Sequence, residues 1–164
     1  MNKQLTLSFV LFRMLSTCLT GLLIGSGFSL AIAAPNFDAC ALLKPSDLAT
    51  LLGGTPIAKP SMGSCSWAAS GSKRQLTAIK YKAAGPGAEM AFAGMRKNVS
   101  RDGKVTDEAG IGDKAFAATT SFGVALMTLK HGQLLQLQFM TGAAGTAKDV
   151  EALRSVAKKA IAAF

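Results

Sequence analysis

The chain has 164 residues, a net charge of +9, three cysteines and a single histidine. Its basic residues are scattered, with no run of five and no interleaved aromatics on which bases could stack, which argues against a nucleic-acid partner. A charge of this size bears on solubility and on attraction to anions rather than on fold.

Lys3 and Arg13 are the only charges before Asp38, and residues 14–33 are uncharged and largely apolar, ending in Ala31-Ile32-Ala33 with Pro35 just beyond. A positive head, an apolar middle and a small-x-small exit predict a secretory signal peptide over 1–33, with a single domain, periplasmic or secreted, over 34–164. A proline directly after the cut is disfavoured, which places the new N-terminus at Ala34. Two alternatives stay open. About 20 apolar residues suffice to anchor a chain in a bilayer, although serine, threonine and glycine dilute this stretch. Cys18 in Leu15-Ser16-Thr17-Cys18 could take a lipid, although Thr17 is bulky for that position.

Cleavage would remove Cys18 and leave Cys40 and Cys65 as an even pair in an oxidising compartment, where pairs are normally disulfides. The rival roles lack partners. Zinc wants three or four ligands and a catalytic thiolate wants a base, while the exported chain offers two cysteines and His131. The exported part carries 16 basic and 9 acidic residues, a net +7.

Residues 45–52 read as a short helix, with Leu48, Leu51 and Leu52 on one side, Pro45 in the first turn and Gly53-Gly54 at its end. Lys44 is a poor N-cap, so Ser46 is an alternative start. Residues 56–60 read as a loop between prolines. A strand is predicted at 65–69 and another at 75–82, with Thr77, Ile79 and Tyr81 on one face and Lys80 and Lys82 on the other. Gly85-Pro86-Gly87 breaks that strand and opens a helix to about Asn98, with Phe92, Met95 and Val99 at helical spacing. Residues 101–112 are loop-like with a short strand at 104–106, and 115–118 form another strand. A hairpin follows, 122–130 and 133–141 around His131-Gly132; Leu135, Leu137 and Phe139 point one way and Gln136 and Gln138 the other. The last helix runs over 147–163, with Thr146 and Asp149 as a capping box and Val150, Leu153, Ala157, Ala160 and Phe164 as its apolar stripe. The expected fold is α+β: an antiparallel sheet of about five strands, helices packed on one face, and one disulfide.

Three motifs carry a resemblance. Asp38-Ala39-Cys40-Ala41-Leu42-Leu43 with its Pro-x-Asp-Leu helix, Cys65-Ser66-Trp67, and Gly110-Ile111-Gly112-Asp113 together resemble small exported bacterial envelope domains and lipoproteins of unknown function. These open with a Cys-x-Leu-Leu helix and later carry a Cys-x-Trp strand. The likeness spans most of 37–164. It implies an exported α+β domain with a Cys40–Cys65 bridge and no catalytic motif. The chain departs from the lipoprotein members in lacking a convincing lipid-attachment cysteine.

The remaining candidates read as structural. His131 suits a hairpin turn, where it tolerates left-handed geometry, and Trp67 suits packing on the disulfide. Asp113 is placed to bond backbone amides in its turn. Asp107 and Glu108 lie nearby but lack the periodic oxygens of a calcium loop, and Gly85-Pro86-Gly87 lacks the Lys-Ser/Thr of a phosphate loop. Met62, Met90, Met95, Met127 and Met140 read as core filling rather than soft-metal ligands. The expectation is therefore a non-catalytic domain without cofactor or metal, binding an envelope protein or a small ligand. The alternatives are a structural subunit of an envelope complex, or an enzyme whose site spacing does not reveal. Lys80 and Lys82, grouped with Gln136 and Gln138 and adjoined by Lys73 and Arg74, are expected to make weak, salt-screened contact with an acidic envelope surface.

Overall fold

The computed structural model describes residues 37–164; the leader and cleavage site expected from the sequence, and Cys18, lie outside the described residues. The Asp38 carboxylate accepts a hydrogen bond from Cys40 N at 2.8 Å and caps one 3-10 turn, Ala39–Leu42. Helix α1, Pro45–Leu52, follows directly. Its N-cap is Lys44 rather than Ser46, because Asp47 Oδ2 accepts from the Lys44 amide at 3.2 Å and satisfies the helix start from inside. Gly53 ends the helix in the left-handed region, at φ 77°.

Three strands then meander: β1, Pro56–Ser61; β2, Ser64–Ala69; and β3, Gln75–Ala84. After helix α2, Pro86–Asp102, four more do the same: β4, Val105–Asp107; β5, Lys114–Thr120; β6, Gly123–Lys130; and β7, Gln133–Met140. Helix α3, Ala147–Ala163, follows them. All the strands join one antiparallel sheet in the order β1-β2-β3-β7-β6-β5-β4. Each meander thus runs from an edge to the centre, where β3 and β7 pair.

The sheet has seven strands, not about five. The short strand expected at 104–106 forms one residue later as β4, and the stretch read as a loop is β1. That strand pairs only with β2, so amides on its outer side join no ladder and Pro56 and Pro60 are tolerated. Prolines there also blunt the edge against pairing with another chain.

The helices cover both faces, which corrects the single covered face. The larger core sets Trp67, Leu76, Leu126, Leu137 and Phe139 against α1, α3 and the 3-10 turn. The smaller sets Phe116, Met127, Leu129 and Leu134 against Ala88, Phe92, Met95 and Val99 of α2. Residues 115–118 of β5 and 126–129 of β6 are buried without interruption, and a strand apolar on both sides needs cover on both. The Cys40–Cys65 disulfide, Cα–Cα 5.1 Å, ties the 3-10 turn to β2, and Trp67 is buried in the same core two residues on.

Candidate functional site

The acidic residues singled out in the sequence do not converge. Asp107 and Glu108 are neighbours in chain but take different partners: Asp107 accepts Arg96 of α2 in a forked pair at 3.0–3.1 Å, while Glu108 turns toward α3. Asp113 Oδ2 accepts from the His131 amide at 2.6 Å. His131 itself has φ 49° and Gly132 φ 69°, the two left-handed residues of a tight hairpin turn.

The basic residues do not form one patch either. Lys73 and Arg74 stand at one end of β3, whereas Lys80 and Lys82 stand at the other, about 20 Å away at the rise of a strand. Lys80 pairs across the ladder with Leu135, and Thr77 with Gln138, so Lys80 lies on the face opposite Gln136 and Gln138. Lys80 and Lys82 thus alternate with Thr77, Ile79 and Tyr81 as the sequence predicts, but they do not share a face with Gln136 and Gln138. Leu76 and Ala78 enter the larger core, and Lys80 follows them at its margin. There its ammonium lies 4.4 Å from the Phe37 ring centroid and 5.3 Å from that of Phe164, a cation–π clasp between the two ends of the described chain. Tyr81, on the other face, donates to Gln136, and desolvation raises its pKa. Lys82 is exposed.

Glu108 and Asp107, together with residues the sequence did not single out, build a cleft. Thr106 pairs with Ala117 across β4 and β5, and both face α3 together with Thr119. The first turns of α3 supply the facing wall. The capping box holds them, with Thr146 Oγ1 accepting the Asp149 amide while Asp149 Oδ2 accepts the Thr146 amide. Between the two walls lies a cavity of about 500 Å³. Its back is an ion pair. Glu108, 6% exposed, accepts Arg154 Nε on Oε2 at 2.5 Å, and Arg154 Nη2 at 3.1 Å and Thr106 Oγ1 at 3.2 Å on Oε1. Arg154 Nη1 also donates to Glu151. Hydrogen bonding to Glu108, reinforced by its charge, raises the Arg154 pKa above its already high ordinary value.

Both carboxylate oxygens of Glu108 therefore have partners, and the pair forms a held wall of the cleft. Among the described residues, the Lys104 ammonium and the Thr119 hydroxyl at the cleft have no side-chain partner. No local signal could have revealed this place, since Glu108 and Arg154 are 46 residues apart; only the Glu151–Arg154 spacing on one helix face was visible. No protein-family model, curated protein or solved structure matches the chain.

Proposed function

We propose that residues 34–164 act, after export, as a non-catalytic binding module of the bacterial envelope, holding a small polar ligand or a short segment of an envelope protein in the cleft between α3 and β4–β5. The cleft carries the reading. At about 500 Å³ it falls in the roughly 300–1,000 Å³ range of small-molecule pockets, and it offers Lys104 and Thr119 as uncommitted donors on a pre-formed wall. The engagement of Asp107, Glu108 and Asp113 in structural bonds, and of both described cysteines in a disulfide, supports a binding rather than a catalytic role. Export rests on the leader pattern and on the resemblance, and a disulfide suits that compartment.

Amide NMR of the purified protein against a library of small polar metabolites tests the cleft. A ligand should shift Thr106, Thr119 and Arg154 saturably and lose affinity in a Lys104→Ala, Thr119→Val variant; equal binding by that variant refutes the site. Turnover of a screened substrate refutes the non-catalytic part. Intact mass after expression in a secreting bacterium should begin at Ala34, and retention of 1–33 refutes release by cleavage.

A further inference from the structure

A second cleft, of about 410 Å³, lies on the other side of α3, between it and α1. Its floor is apolar, formed by Leu51, Phe139 and Val156, which belong to the larger core and show the cleft only their edges. Its rim carries charges of both signs, but the two signs are not equally engaged. Asp47 accepts the Lys159 ammonium at 2.7 Å and the Lys44 amide at 3.2 Å. Asp149 accepts the Thr146 amide at 3.0 Å and the Thr146 hydroxyl at 2.6 Å. The Arg74 side chain, by contrast, makes one bond among the described residues, from Nη1 to the Leu51 carbonyl at 3.3 Å. That bond steadies the side chain at the cleft and leaves most of the guanidinium's five donors without a partner. Lys148 has no ion-pair partner among the described residues.

Counting Lys159, which Asp47 holds, three cations stand against two carboxylates over this floor, a net positive charge, although Asp149 too has no ion-pair partner among the described residues. A guanidinium presents parallel N–H groups that match a carboxylate or phosphate, an ammonium adds a point charge, and an apolar floor gains from covering by hydrocarbon. We propose that this cleft binds a monomeric amphiphilic anion, its carboxylate or phosphate head on Arg74 and Lys148 and its apolar body on Leu51, Phe139 and Val156. Of the four basic residues that the sequence suggested for anion contact, Arg74 alone lines this site. The inference is independent of the proposed function, since it uses other residues on another side of the helix.

The test uses octanoate as probe with the full chain, read by amide NMR below the concentration at which octanoate aggregates. Octanoate should shift Thr50, Leu51 and Ser155 saturably, and Arg74→Gln with Lys148→Gln should weaken it about tenfold or more. Octyltrimethylammonium, with the same tail and opposite charge, and inorganic phosphate, with no tail, should each bind at least tenfold more weakly. Equal binding of either control, or unchanged affinity in the double variant, overturns the proposal. Sedimentation with phosphatidylglycerol vesicles separates a free amphiphile from a bilayer headgroup: vesicle binding that depends on Arg74 and Lys148, without binding of octanoate, also overturns it. Should loss of the Leu51 bond unsettle the fold, Lys148→Glu alone, at an exposed position on α3, carries the same comparison.

Discussion

Arg154→Met probes the one ion pair of the described chain that has a buried partner. The substitution keeps an unbranched stem against the cleft and removes only the guanidinium. Glu108 then keeps its Thr106 bond but loses both bonds from Arg154, at a carboxylate whose side chain is 3% exposed. Taking one partner from a buried pair costs about 3–5 kcal/mol, most of it the burden of an uncompensated charge. The Arg154 side chain is 32% exposed along the cleft, so water reaches the orphaned carboxylate and the lower end, about 3 kcal/mol, applies. In a domain of this size that lowers Tm by roughly 10–15 °C. Urea unfolding followed by the fluorescence of Trp67, the only tryptophan, measures it directly. Adding Glu108→Gln, which removes the orphaned charge, should recover at least half of the loss. A cost below about 1 kcal/mol for Arg154→Met, the range of exposed pairs, refutes the account of a buried wall.

Reducing the Cys40–Cys65 bond, which closes a loop with a sequence separation of 25, should destabilise the domain by about 3.5 kcal/mol in the chain-entropy model, measured as the shift in urea midpoint with and without reductant. Gly112→Ala should cost about 2 kcal/mol or more in the same assay, because at φ +65° its new Cβ would lie 2.5 Å from Thr128 Oγ1 and 2.6 Å from the Leu129 carbonyl. Gly110→Ala, at φ +74° but with open space around the site, should cost about half as much, and equal costs would refute the steric part. The Lys159 hydrogen bond holds the Asp47 carboxyl below its ordinary range. A depressed carboxyl contributes stability that is present above its unfolded-state value, about 3.9, and is lost as pH falls through the folded value. Lys159→Gln should therefore melt below the wild type at pH 6, with the difference closing as pH drops below about 4; a gap that persists there would assign the effect to packing instead.

Local chemistry determined much of this domain. The capping box at Thr146 and Asp149 and the apolar stripe behind it place α3 at the residues where it forms, since both lie within a few turns of one another. The β6–β7 hairpin is equally local: alternation sets the two faces of β7, and His131-Gly132 supplies the left-handed turn. The cysteine pair was legible on the expectation that Cys18 departs with the leader, and Cys40 and Cys65 do bond to each other. Tertiary structure decided what each face meets. Alternation along β3 separates Leu76, Ala78 and Lys80 from Thr77, Ile79 and Tyr81 but does not say which set enters the larger core, and apolar residues stand on both sides. The stripe of α2 is visible in the sequence, but its seat on the second face rests both on β3 just before it and on β4, β5, β6 and β7, which come later in the chain. Strand β1 was hidden because prolines oppose a ladder everywhere except at an edge, and being an edge is a property of the assembled sheet. Both clefts are of this kind. Glu108 meets Arg154 across 46 residues, and Arg74 meets Leu51 across 23, through the fold alone. Local periodicity constrains where a side chain points within its own element, and only the packing of distant elements decides which charge or apolar surface it finds there.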